Sequence, residues 1–270
     1  NNVGTVADSY TKTFSGSINA AASFLKSIPL TYNMSTSRDL SDPNTVIYAL
    51  IPKQAKLGLE TRYAETFSAK YNPSWLAFLG ANFSFNSGYN ENSDRLDNRN
   101  IGSTRTISND NTRVANITLD WTKLLGGPKK EKKKESILNP FNLLRKLTRR
   151  IDPVGLGYRR NQTFAKSGLL GRPALSYRLG FTENPRVGSE GLSQSTDRVS
   201  IADAYSAKSG ISLLATHVGM NYSKNVSRNI TATDDIKSIS TRFPDFGLSF
   251  NRLGNFKYLK RFFTAVTYNF

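Results

Sequence analysis

A Ser-His-Asp nucleophile or a histidine-bearing metal site in this chain would have to start from His217, its single histidine. A zinc site draws three or four ligands from His, Cys and carboxylates. The sequence has no cysteine, so only carboxylates could complete a shell around His217. Thr216 and Val218 flank it inside an alternating run, the setting of a structural or lumen-facing histidine. A Ser-His-Asp nucleophile would need the same residue, and no G-x-S-x-G elbow occurs. Gly126-Gly127-Pro128-Lys129 superficially suggests a phosphate loop. It lacks the G-x-x-x-x-G-K-[S/T] spacing, and Pro128 removes a needed N–H. Asp94, Asp97 and the pair Asp234-Asp235 sit in turn-like sequence and read as turn residues, not as an acid/base pair. The expectation is therefore a non-enzyme with no catalytic, cofactor-binding or metal-binding residues and no cofactor.

The positive signal lies in the elements around these residues. Ile28, Leu30, Tyr32 and Met34 alternate with Pro29, Thr31, Asn33 and Ser35; Ala81, Phe83 and Phe85 alternate with Asn82, Ser84 and Asn86. The same period of two runs through Leu57–Tyr63, Ala115–Trp121, Val154–Tyr158, Leu175–Phe181, Leu214–Tyr222 and Phe246–Phe250. It returns in the last ten residues, where Phe262, Val266, Tyr268 and Phe270 oppose Arg261, Thr267 and Asn269. With strands near Phe14–Phe24 and Arg198–Tyr205, this predicts roughly ten strands. Ser87–Asp110 and Asn225–Asp235 are dense in Asn, Ser, Asp and Thr and read as connections. The polar strand faces carry Thr, Asn, Ser and Arg, which favours a wet lumen over an ordinary solvent face. Tyr158, Tyr177, Tyr222 and Tyr268 all fall in strand patterns, where they could form interfacial girdles or, in a soluble sandwich, a core.

No run of about 18 apolar residues exists, so no transmembrane helix is expected; barrel strands hide their hydrophobicity in alternation. The net charge is +17. Lys123–Arg160 holds twelve Lys/Arg against Glu131, Glu135 and Asp152, and so carries +9 of that excess. Residues 126–151 read as a basic loop followed by an amphipathic helix, with Ile137, Phe141, Leu144, Leu147 and Ile151 at helical spacing. The insert could be a solvated loop whose helix packs on its own barrel, a basic helix on an anionic membrane or partner, or a nucleic-acid contact. Nucleic acid is disfavoured, because no aromatic residues interleave with the cluster of lysines.

Three stretches resemble the SprA family, the large outer-membrane barrel that forms the translocon of the type IX secretion system and is tied to gliding motility. Ser27-Ile28-Pro29-Leu30-Thr31-Tyr32-Asn33-Met34-Ser35, with Asp42-Pro43 after it, is similar to a barrel strand of that family. Leu170-Gly171-Arg172-Pro173-Ala174-Leu175-Ser176-Tyr177-Arg178-Leu179-Gly180 resembles a Gly-Arg-Pro turn feeding a strand. Arg242-Phe243-Pro244-Asp245-Phe246-Gly247-Leu248-Ser249-Phe250, continuing through Leu253 and Phe256 to Phe270, resembles a strand pair. These motifs cover about a quarter of the chain, and the basic insert has no match among them.

The resemblance implies a fragment of a much larger barrel wall, with Phe270 where the piece was cut. It also implies protein export, with other secretion-system subunits and exported proteins as partners. The combined expectation is an all-β antiparallel meander, residues 1–270 forming one outer-membrane β-barrel segment in contact with outer-membrane lipid of a bacterium. The alternatives are a porin-like or uptake barrel, and a soluble β-rich surface protein binding anionic polymers through its insert.

Overall fold

A computed structural model describes residues 12–24, 27–41, 59–74, 76–93, 105–126, 150–188, 197–213 and 216–250. Nine strands form one sheet: β1 (Thr13–Phe24), β2 (Ile28–Asp39), β3 (Leu59–Tyr71), β4 (Leu79–Ser93), β5 (Arg105–Leu119), β6 (Val154–Leu169), β7 (Arg198–Leu213), β8 (Thr216–Ile230) and β9 (Asp235–Phe250). Two short helices interrupt the meander, α1 (Trp121–Gly126) and α2 (Leu175–Arg178). The strands lie in chain order, every pair antiparallel, and among the described residues no ladder joins β9 back to β1. The fold is all-β, as the alternation predicts. The C-terminal run 261–270 and residues 127–149 of the basic insert lie outside the described residues.

The strands are 12 to 16 residues long. They run through two stretches read above as connections. Ser87–Ser93 and Arg105–Asp110 are the paired upper ends of β4 and β5, and Asn225–Ile230 belongs to β8. Apart from Tyr89, Ile107, Val226 and Ile230 their residues are polar or glycine on both faces, too few apolar positions for hydrophobic alternation to reveal them; the ladder hydrogen bonds hold them extended. Register shifts at Ser37/Arg38, Arg105/Ile107 and Asn221/Ser223 mark bulges.

Two further expectations are corrected. Trp121 does not end a strand. It opens α1, because Asp120 Oδ1 accepts hydrogen bonds from the Thr122 N (3.0 Å) and Lys123 N (3.2 Å), a side-chain N-cap. Leu175–Phe181 is not a strand either. Leu175–Arg178 winds into one turn, with the Tyr177 and Arg178 amides donating to the Ala174 carbonyl, and Gly180 ends it at φ 73°. This turn belongs to a strap, residues 170–188, which folds back onto the sheet and is closed at its base by Leu170 N donating to the Gly188 carbonyl (2.9 Å).

Candidate functional site

Residues directly opposite in antiparallel strands share a face, so the registers sort every side chain. One face carries Ser15, Ser17, Asn19, Thr31, Asn33, Ser35, Thr66, Ser68, Asn82, Ser84, Asn116, Thr118, Ser206, Asn221 and Ser223, with Gly80, Gly155, Gly157, Gly219 and Gly247 among them. These side chains are short, polar and mostly neutral. The opposite face divides in two. In its lower part stand Ile18, Leu30, Phe83, Leu156, Tyr205, Met220 and Phe246, an apolar belt that nothing else in the described chain covers. Leu156 is 50% exposed, Met220 47% and Phe246 53%.

The upper edge of this belt is marked by polar residues. Along β2 to β8 the last residue of the belt is followed, two positions on, by a polar one, although Tyr63, Tyr89, Ile107, Phe164, Ile201 and Val226 stand higher on the same face; on β1 that face stays apolar up to Phe14. The pairs are Met34 and Thr36, Phe67 and Glu65, Phe85 and Ser87, Ala115 and Arg113, Tyr158 and Arg160, Tyr205 and Asp203, Tyr222 and Lys224. The edge is also slanted. From Tyr222 on β8 the opposite residues are Ala207, Leu156, Ile117 and Ala81, yet on β4 the belt ends four residues higher, at Phe85. From Phe85 they are Ala69 and Leu30, and on β2 the belt ends four residues higher again, at Met34. At about 3.4 Å per residue and about 4.8 Å between strands, the edge climbs about 27 Å over about 29 Å, a slant of about 43°. Barrel strands tilt by about 35–45° from the barrel axis, so a belt level with a membrane crosses such strands at this angle.

Above the edge, over β3 to β6, the strap covers the same face. Its carbonyls receive donors from the sheet. Asn109 Nδ2 donates to Tyr177 O (2.6 Å) and Arg178 O (3.0 Å), Ser87 Oγ to Arg178 O (3.1 Å), and Arg113 Nη2 to Gly180 O (2.8 Å). Tyr177 is wholly buried, its ring 6.3 Å from that of Phe164, and it joins Tyr63, Tyr89, Ile107 and Leu169 in the one apolar cluster of the described residues. Burial, together with the field of Asp197, pushes the Tyr177 hydroxyl above its ordinary pKa. A girdle position is thus excluded for Tyr177. Tyr158 and Tyr222 do stand at the belt edge, Tyr158 5.1 Å from the Tyr205 ring and Tyr222 5.7 Å from that of Phe243. Tyr268 lies outside the described residues.

Two arginines fix the strap. Arg172 Nε donates to Glu91 Oε2 (2.9 Å), its Nη2 to Glu91 Oε1 (3.2 Å) and to Glu60, and its guanidinium lies 3.7 Å from the centre of the Tyr63 ring. Arg178 pairs with Glu65 and donates to Tyr63 Oη (2.9 Å). Arg105 and the Tyr89 hydroxyl (2.8 Å) also serve Glu91, which is 1% exposed. Burial alone would raise the Glu91 pKa. The hydrogen bonds from Arg172 and Tyr89, and the fields of Arg172 and Arg105, outweigh it and hold the carboxyl below its ordinary value. Burial alone would likewise lower Arg172, but Glu91 and Glu60 carry it the other way, above its ordinary value. None of these residues has an ion-pairing role legible in the sequence; Arg172 and Arg178 enter there only within the Gly-Arg-Pro stretch. The signal that could have found the strap is Pro173 before and Gly180 after a short apolar run, the asymmetry of a helical turn.

Of the residues weighed for chemistry, His217 lies on the polar face, its Nε2 2.6 Å from Asp152 Oδ2. The pair ties the residues where the basic insert re-enters the sheet to β8, beside Gly210, whose added Cβ would fall 2.5 Å from Asp152 Oδ2. Asp234 closes the Thr231–Asp234 turn, and Asp235 pairs with Arg228 (Nε to Oδ1, 2.8 Å). Among the described residues no three His, Cys, Asp or Glu side chains gather as a metal site would require. No helix of the described residues is long and apolar enough to cross a membrane, which leaves strand crossing open. No protein-family model matches the chain, and no curated protein matches it.

Proposed function

We propose that this chain is a wall segment of a bacterial outer-membrane β-barrel that serves protein export, in the manner of the SprA-like translocon of type IX secretion. The observation that carries the membrane reading is the slanted, uncovered apolar belt. Water leaves such a face unstable at about 25 cal/mol for each Å² of apolar surface, whereas lipid does not. The opposite face, of mostly short polar side chains and glycines with Arg62, Lys70, Arg159 and Lys208 among them, suits a wide wet lumen.

The connections suggest which way the wall stands. Three of the four lower connections, 25–27, 72–78 and 214–215, are short, and three of the four upper ones, 40–58, 94–104 and 170–197, are long. Bacterial barrels keep short turns at the periplasm and long loops outside, so the strap faces the cell exterior. The export reading is supported by the three family-like stretches.

Two measurements test the reading. The native protein should leave membranes with detergent and not with salt; release by salt alone overturns the barrel. Deleting the whole gene should strand type IX cargo inside the cell, and normal export overturns the translocon while leaving the barrel in place.

A further inference from the structure

Where the belt meets the strap, Arg113 on β5 stands directly opposite Arg160 on β6, one step above the apolar edge. Like charges in that relation destabilise a sheet unless something lies between them. Protein groups meet this need only in part. Arg113 spends one donor on the Gly180 carbonyl, and its guanidinium lies 5.7 Å from the Phe85 ring centre. Arg160 reaches Asp203 only at 3.9 Å, and its Nε is buried without a hydrogen-bond partner, although its side chain is 30% exposed. The Asp203 carboxylate already accepts the Tyr158 hydroxyl (2.9 Å). Glu183, the strap's carboxylate on this side, is held by Gln162 Nε2 (2.9 Å), while Lys224 adds a cation at the edge on β8. Below the pair lie Ala115, Tyr158 and Tyr205; beside it Phe181 stacks on Phe85 at 5.3 Å and 10°.

We propose that Arg113 and Arg160 form a site for the phosphate of an outer-leaflet lipid headgroup, whose acyl chains lie along the belt. Two guanidiniums offer the forked donors that phosphate oxygens take in pairs, and the apolar floor beneath them favours a lipid over a free anion. The inference rests on the membrane reading above.

The test reconstitutes the whole protein in phosphatidylcholine nanodiscs doped with phosphatidic acid and measures the lipid retained, with inorganic phosphate added in a second arm. Phosphatidic acid should be enriched around the native chain. R113Q or R160Q should reduce that preference about fivefold, and the double variant about thirtyfold. R186Q, on an exposed part of the strap, should retain most of it, and R160K, which keeps the charge but loses the fork, should fall between R160Q and the native chain; far-UV circular dichroism reports folding of each. An unchanged preference in a folded double variant overturns the site. Equal loss in R186Q, or full displacement by inorganic phosphate at the same concentration, does so too. A native chain that will not enter the bilayer overturns the membrane reading itself, which separates the two failures.

Discussion

Replacing Leu156 by arginine separates a lipid-facing wall from a soluble sheet more cleanly than any change at the strap. Leu156 is the middle of the three outward residues of β6 in the belt, between Val154 and Tyr158, and its opposite neighbours are Ile117 and Ala207. Half of it is exposed, and no described side chain closes over it. On a soluble sheet, arginine at such a position changes stability by no more than about 0.5 kcal/mol and improves solubility. In a bilayer the guanidinium has to be held below the belt edge, about 7 Å along the strand from Tyr158, at a cost that rises towards about 2–4 kcal/mol at the midplane. The cost depends on depth, so Y205R, at the belt edge, should cost about 0–1 kcal/mol. N221R, on the polar face, should stay within about 0.5 kcal/mol. The assay is reversible guanidinium unfolding in lipid vesicles, followed by tryptophan fluorescence, with all three variants and the parent in parallel. An L156R cost no larger than that of N221R would refute the assignment of this face to lipid.

Other outcomes follow from the same geometry. G180A should release the strap while the sheet stays folded, because the residue has φ 73° and its Cβ would lie 2.0 Å from Asn111 Oδ1; faster hydrogen exchange at Tyr177 and Arg178 reads the release. R172M leaves the Glu91 carboxylate buried without its main partner and should weaken the strap by about 1–3 kcal/mol, read by the same exchange. Since Glu91 titrates below its ordinary value when folded, its contribution is complete above about pH 4.3 and fades as the pH falls through the depressed folded value, so acid should loosen the strap of the parent and change R172M less.

How far the sequence reaches depends on whether a segment's hydrophobicity has a face to report. Leu30, Tyr32 and Met34 contrast with Thr31, Asn33 and Ser35, and the ladder confirms their strand residue by residue. The upper ends of β4 and β5 have no such contrast. Asn109 opposes Tyr89 and Asp110 opposes Gly88; with Tyr89 and Ile107 the only apolar residues of these two ends, no alternation in the run separates a strand from a loop. The strap misleads in the opposite way. Leu175, Tyr177, Leu179 and Phe181 alternate, but one turn of helix buries Tyr177 while leaving Leu175 and Phe181 exposed, and seven residues of alternation fit either outcome. What placed them was long-range: the side chains of Asn109, Ser87 and Arg113 donate to the Tyr177, Arg178 and Gly180 carbonyls, which an extended strand would have spent on a neighbouring strand. The slant of the belt was equally hidden, since it exists only in the registers between strands.

The strap and the belt are answers to one problem. A single-layer sheet has two faces, and any apolar patch on either must meet something other than water. Above the slanted edge, the aromatic and aliphatic side chains Tyr63, Tyr89, Ile107 and Phe164 are covered by the chain itself, at the cost of burying Glu65 and Glu91 beneath two arginines. Below the edge, residues at least as apolar have no such cover, although 19 residues of strap lie next to them. If water bathed both regions alike, Phe83, Leu156 and Tyr205 would need a cover as much as Tyr63, Tyr89, Ile107 and Phe164 do. The strap instead stops at the line where Arg113, Arg160 and Asp203 begin. A boundary of that kind is what the proposed wall segment requires, with water above the edge and lipid below it.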